Sequence, residues 1–311
     1  HLESLDLSLS NRDSFKKRKL KLNETTFEWT KNLRHLNLKG NHIILEGDCF
    51  EHLTLLKELN LADTILDSDS EDHDMFNGLE QLEKFEFEGM DRRCDLFKLY
   101  RLSELSNLRE LTIADIAEHD LDQFSHALRG KRRRGEPILN PTFDDLIYFI
   151  LSDLTKLTRL ELTDCRLTYI NKRVLGQMKD LTSLTVSGCF IQHIPDDTFD
   201  SFSSLEEIVF IDIGQQQIKL NRLFLKCDKL KRLRLVDASL VDLMDEQFNF
   251  KSLVEIDIDS FRYLGKLEKF YHARRRKLLE QNHQKKTEIT SPALKSGMKN
   301  VEIMFRRIDF K

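Results

Sequence analysis

The sequence predicts an α/β solenoid, a horseshoe with a parallel β-sheet on its concave face and short helices, 3₁₀ turns and loops on its convex face. Three observations carry that expectation. The pattern Leu-x-x-Leu-x-Leu, or its apolar equivalent, recurs nine times between Leu33 and Ile258. A second column of large apolar residues runs six positions ahead of eight of these motifs, and a third, mostly apolar, runs three ahead. The chain has 311 residues, 52 of them leucine, with only 11 glycines and 4 prolines. Such a composition excludes a collagen-like chain or a low-complexity linker, and the period marks stacked repeats.

Leu33/Leu36/Leu38 and Leu56/Leu59/Leu61 set the frame. Later motifs open at Leu82, Leu108, Leu157, Leu181, Leu205, Leu230 and Leu253, with successive spacings of 23, 26, 26, 49, 24, 24, 25 and 23. The 49 is two periods, or one repeat with a long insertion. Each motif closes on an alternating stretch such as Leu160-Glu161-Leu162. Period two reads as a short strand, with leucine inward and glutamate outward. Strands are therefore expected near Leu33–Leu38, Leu56–Leu61, Leu108–Ile113, Leu157–Leu162, Leu181–Val186, Leu205–Phe210, Leu230–Leu235 and Leu253–Ile258, side by side in chain order. The column ahead of them reads Phe27, Phe50, Phe76, Leu102, Leu151, Leu175, Phe199 and Phe224. These side chains are expected to drop inward from the convex half. One repeat cannot bury its own leucines, so neighbours bury each other's.

The solenoid is expected over residues 1–261, as ten to eleven repeats, with an insertion at about 117–150. The first repeat is stretched, with 31 residues from Leu2 to Leu33 and a basic run over 16–19. Inside the insertion, 121–128 reads as a short helix, 131–137 as an exposed basic loop and 143–157 as an apolar helix. Residues 262–311 form a basic C-terminal segment in which 298–305 fits a terminal capping strand. The basic runs read first as solvated loops, with an anionic partner as the alternative. Arg129-Gly130-Lys131-Arg132 also resembles a furin-type cleavage signal. The acidic stretch 67–74 alternates like a calcium loop, yet Asp72 and Gly78 stand where glycine and glutamate are needed, so a solvated loop is favoured. His119 and His126 are read as polar convex surface.

The segment Ile191-Gln192-His193-Ile194-Pro195-Asp196-Asp197-Thr198-Phe199, taken with the motif, resembles the leucine-rich repeat family. It is similar to the animal class of about 24 residues per repeat, as in Toll-like and chaoptin-like ectodomains. That resemblance implies an asparagine three residues after the last strand leucine, bonding neighbouring backbone. Only Asn41 fits; Thr64, Met90, Ile116, Cys165, Cys189, Ile213 and Ala238 stand at the other sites. Cysteine is a substitute within the family, whereas the apolar ones imply a less regular arc. The five cysteines, Cys49, Cys94, Cys165, Cys189 and Cys227, are odd in number and unclustered, which is not a disulfide framework. Cys165 and Cys189 are expected as inward thiols filling that slot rather than as a disulfide. One sequon occurs, Asn23-Glu24-Thr25.

No glycine-rich phosphate loop, zinc-type cysteine pair or nucleophile elbow is present, so no enzymatic activity, cofactor or metal is expected. A net charge of −4 and a pI of about 6.2 oppose a dedicated nucleic-acid binder, and no nucleic acid is expected as partner. No apolar run approaches the roughly 18 residues of a membrane span, so membrane association is not visible. Outward strand positions carry an acidic band, Glu58, Glu86, Glu88, Glu110 and Glu161, interrupted by Lys84 and Arg159. Further along, Val209, Ile211 and Val236 point outward and are apolar; they mark an interface or lie under residues 270–305.

These eight residues are the candidate partner-binding set, and the expected partner is another protein with a basic surface. The resemblance implies a non-catalytic protein–protein interaction module of receptor or adhesion type. The alternative is an intracellular substrate adaptor of a ubiquitin ligase, similar to the F-box leucine-rich repeat family, whose cysteine-bearing repeats resemble Leu160–Cys165 and Leu184–Cys189. The 24-residue spacing and Ile194-Pro195…Phe199 argue against it. The repeat class points outside the cell, while the thiols and the absence of cysteine-rich caps point inside. His1 opens inside a repeat, so the sequence reads as a fragment. Oligomeric state is not legible.

Overall fold

The computed structural model describes residues 1–9, 19–68, 74–89, 101–115, 142–214, 218–219, 223–224, 226–236, 240–241 and 255–257. Its strands are β1 (Ser4–Asp6), β2 (Lys19–Leu22), β3 (His35–Asn37), β4 (His42–Leu45), β5 (Glu58–Ser68), β6 (Lys84–Gly89) and β7 (Glu110–Ala114). They continue as β8 (Arg159–Thr163), β9 (Ser183–Ser187), β10 (Glu207–Ile211), β11 (Ile218–Lys219), β12 (Arg232–Val236), β13 (Leu240–Val241) and β14 (Glu255–Asp257). Two helices are described, α1 (Phe143–Leu151) and α2 (Lys172–Leu175).

The concave sheet runs β1-β3-β5-β6-β7-β8-β9-β10-β12-β14, in chain order and parallel throughout. That is the solenoid the motif predicts. β7 pairs β8 directly, Leu111 opposite Leu160, so the long spacing is one repeat with an insertion and not two periods.

Each concave strand begins two residues after the first motif leucine. The reason lies in the backbone. Lys57 and Glu58 both donate to Arg34 O, and Thr182 and Ser183 both donate to Thr158 O. Two successive N–H groups converge on one carbonyl of the previous repeat, and only then does the regular ladder start. The same forked bond recurs at Glu83/Lys84, Arg109/Glu110, Thr158/Arg159, Glu206/Glu207 and Lys231/Arg232.

The convex return is built mostly from turns. Leu53 N donates to Phe50 O and Leu56 N to Leu53 O; Met178 N donates to Leu175 O and Leu181 N to Met178 O. These are successive i→i+3 bonds, the 3₁₀ geometry in which every third side chain eclipses the last. It brings the three apolar columns onto one inward line. Phe50, Leu53 and Leu56 are fully buried, as are Leu102, Leu151, Met178 and Phe202. Phe27 stacks on Phe50 with centroids 5.8 Å apart, and Phe199 meets Phe224 at 5.2 Å, so phenylalanines of adjacent repeats form short spines.

α1 closes the insertion. Thr142 and Asp145 form a reciprocal capping box at its start, and Leu146, Ile147, Ile150 and Leu151 enter the core. The helix ends at Leu151, shorter than the expected 143–157. Leu154 and Leu157 already belong to the turn sequence of the next repeat, with Leu154 N bonded to Leu151 O.

A second parallel ladder lies beyond the concave strands: β2 pairs β4, and β4 pairs the far half of the eleven-residue β5. β11 pairs β13 in the same manner. The expected helix at 121–128, basic loop at 131–137, furin-like site, His119/His126 pair and segment 262–311 lie outside the described residues. Of the acidic stretch, Asp67 bonds His42 Nε2 at 2.8 Å and Asp74 bonds Arg101 at 2.7 Å, while 69–73 lie outside. Among the described residues no helix is long and apolar enough to cross a membrane.

Candidate functional site

The concave face presents three outward columns, because alternate residues of every strand leave the core. The first column reads His35, Glu58, Lys84, Glu110, Arg159, Ser183, Glu207 and Arg232, each opposite the next in register. Its charges alternate. His35 Nε2 lies 3.5 Å from Glu58, and Arg232 Nε donates to Glu207 at 2.8 Å. The Ser183 hydroxyl also donates to Glu207, at 3.1 Å. Arg232 first, then Ser183, hold the Glu207 carboxyl below its usual range against partial burial. Lys84 bonds Glu86 at 2.7 Å and lies in the fields of Glu110 and Glu58, which together keep its ammonium charged beyond its ordinary range.

The second column contains Asn37, Asn60, Glu86, Thr112, Glu161, Thr185 and Val209. Asn37 reaches back to Asp6 at 3.2 Å, while Asn60 reaches forward to Glu86 at 2.5 Å. Around these amides the face dips into a depression of about 160 Å³, lined by Ser4, Asp6, His35, Asn37, Asn60, Lys84 and Glu86 among others. In the third column, Glu88 stands opposite Ala114, and Ile211 opposite Val236.

All eight residues predicted from the sequence therefore lie on this face, in two groups. Glu58, Glu86, Glu88, Glu110 and Glu161 sit on four neighbouring strands, β5 to β8. Val209, Ile211 and Val236 sit on β10 and β12, half-buried, with Val209 opposite Arg234. The acidic group is not uniform. Glu58 and Glu86 are drawn into pairs with His35 and Lys84. Glu161, between Thr112 and Thr185, has no ion pair or side-chain hydrogen bond among the described residues.

Four further acids stand where the strands end. Asp63, Asp115, Asp164 and Asp212 have left-handed backbones, with φ of 54, 51, 50 and 47°. Gly40 and Gly188 hold the same place at 78 and 61°. Each repeat needs a left-handed residue where the strand turns away, and aspartate tolerates that region better than most side chains. They form an acidic rim beside the concave columns. Lost hydration there pushes the Asp115 carboxyl up, and the neighbouring Asp164 carboxylate adds to that.

The slot beneath the rim behaves as the repeat requires. Asn41 Nδ2 donates to Leu38 O at 2.7 Å and to Leu7 O of the preceding repeat at 2.9 Å. Thr64 Oγ1 donates to Ala62 O and Leu38 O. Cys165 Sγ donates to Thr163 O and Ile113 O, and Cys189 Sγ to Ser187 O and Leu162 O.

A family model described as "BspA type Leucine rich repeat region (6 copies)" matches residues 14–126 and 139–248. The chain belongs to the BspA-type leucine-rich repeat family. The match names the BspA type and not the animal class that 191–199 resembles. Among solved structures, a TLR13–ssRNA13 complex is similar at 16% identity and a TM-score of 0.46. That similarity covers 77% of this chain and 35% of the other, so the chain spans about a third of that protein's length. Internalin C2 from Listeria monocytogenes is similar at 16% identity and a TM-score of 0.40, over 76% of this chain and 75% of that one. No curated protein matches the sequence. Among the described residues of this BspA-type repeat chain, no group of three metal-ligating side chains converges.

Proposed function

We propose that the chain is a non-catalytic protein-interaction module of receptor or adhesion type, which holds a partner with a basic surface in its concave face. Glu161 carries the reading. It is a carboxylate near the middle of the sheet with no ion pair among the described residues, flanked by small hydroxyl side chains that leave room for a cation. Glu88 and the aspartate rim add negative potential beside it, and such a field speeds encounter with cationic surfaces and slows polyanions. Among the described residues the sheet lies open to water, and catalysis calls for groups that converge in a cleft.

The test replaces Glu86, Glu88 and Glu161 together by lysine and compares capture of a basic protein partner from cell extract. The triple variant should lose most of the binding, and the parent's binding should weaken as salt rises, because exposed charges are screened over about 8 Å at physiological salt. Single-stranded RNA should bind the parent poorly. Unchanged affinity and salt dependence in the triple variant would overturn the reading and transfer attention to Val209, Ile211 and Val236.

A further inference from the structure

We propose that Cys165 and Cys189 form an oxidisable pair, a modification site at which a small peroxide joins two adjacent repeats through a disulfide. The two residues follow β8 and β9, whose strands pair in register from Arg159↔Ser183 to Thr163↔Ser187. Neighbouring backbones in a sheet lie about 4.8 Å apart, inside the roughly 4.4–6.8 Å Cα separation that a disulfide spans. The Cys189 sulfur leans toward the preceding repeat, 3.8 Å from Leu162 O, on the side where Cys165 stands. The neighbouring thiol and backbone N–H of Cys165 hold the Cys189 thiol below its ordinary value against burial. The reactive form of a thiol is the thiolate, so Cys189 is the nucleophile and Cys165 the resolving partner. Cys227 is the opposite case, with burial pushing its thiol up to about 12.

The chemistry balances with hydrogen peroxide as oxidant. The Cys189 sulfur attacks one peroxide oxygen, the O–O bond breaks, and the other oxygen leaves as water after taking a proton. The Cys165 sulfur then attacks the sulfenic sulfur, the S–O bond breaks, and a second water leaves with the Cys165 proton. Two thiols and one peroxide become one disulfide and two waters. Each cysteine is only 1% exposed, which favours an oxidant close to water in size. The slot survives the loss of its S–H donors. Thr163 O still accepts from Asp115 N at 2.9 Å, and Ser187 O from Asp164 N at 2.8 Å.

The test treats the native full chain with hydrogen peroxide, blocks remaining thiols with iodoacetamide and maps tryptic peptides by mass spectrometry. A linked Cys165–Cys189 peptide should appear, with loss of two alkylatable thiols per chain, while Cys227 stays alkylatable. Cys165→Ser keeps a hydroxyl donor in the slot, as Thr64 does. It should abolish the linked peptide and leave Cys189 as a sulfenic acid that a dimedone-type reagent traps. The proposal is overturned if both sulfurs of the parent remain alkylatable, or if Cys189 proceeds to sulfinic acid without the link.

Discussion

The Asp164 carboxylate occupies the space that a side chain at Gly188 would need, with Oδ1 and Cγ against the position of the missing Cβ. The two residues hold equivalent places in adjacent repeats, both left-handed. Asp164 leans across its neighbour, and the neighbour is glycine for that reason as well as for its backbone angle. Gly188→Ala should cost about 1–2 kcal/mol from the left-handed backbone alone, with a further loss from the clash. Asp164→Ala in the same chain should restore that further part. Urea midpoints of the two single variants and the double variant check this; strict additivity would refute the contact.

Leu184 is fully buried at the centre of β9, between Leu160 and Ile208 of the neighbouring strands. Leu184→Ala should cost about 2–5 kcal/mol, the range for buried leucines. Repeats share one core, so amide exchange should rise on β8 and β10 as well as on β9. A rise confined to β9 would show that the repeats are energetically separate.

Asn41 is buried and its amide serves carbonyls of two repeats. Asn41→Ala leaves those carbonyls short of a donor, which should cost about 1–3 kcal/mol. Asn41→Thr should recover part of the loss, since Thr64 serves the next slot with one hydroxyl. Thermal unfolding of the two variants beside the parent decides it.

The Glu207–Arg232 pair sets a pH dependence. The Glu207 carboxyl lies below its ordinary value in the folded chain. Its contribution is therefore complete above the unfolded value, about 4.3 for glutamate, and is lost as pH falls through the lower folded value. Glu207→Gln should be less stable than the parent at pH 6, and the gap should narrow at pH 3. A gap that stays constant would remove Glu207 from the acid response.

The inward half of this fold was legible because burial repeats. Leu33, Phe50 and Leu184 stand in columns that the sequence displays without help, and each is buried as its column demands. The second ladder was hidden, because neither Lys19–Leu22 with His42–Leu45 nor Ile218–Lys219 with Leu240–Val241 shares a pattern that marks the two as partners. Charge pairing was hidden for another reason. Lys84 and Glu110, or Glu207 and Arg232, are 25 or 26 residues apart, and only the register makes them neighbours. The conformational duty of the strand-end aspartates was hidden too, because only their backbone angles reveal it.

The forked carbonyl that opens the concave strands from β3 to β12 ties each of those repeats to its predecessor, so the molecule is mechanically a zipper. Pulled from its two ends, the chain should surrender its repeats one after another. A repeat of 24 residues releases about 80 Å of contour, at roughly 3.5 Å per extended residue. One step should be twice that length. The passage from Leu108 to Leu157 holds 49 residues between directly paired strands, so its rupture yields about 170 Å at once. In a force–extension trace that single long interval locates the insertion along the molecule.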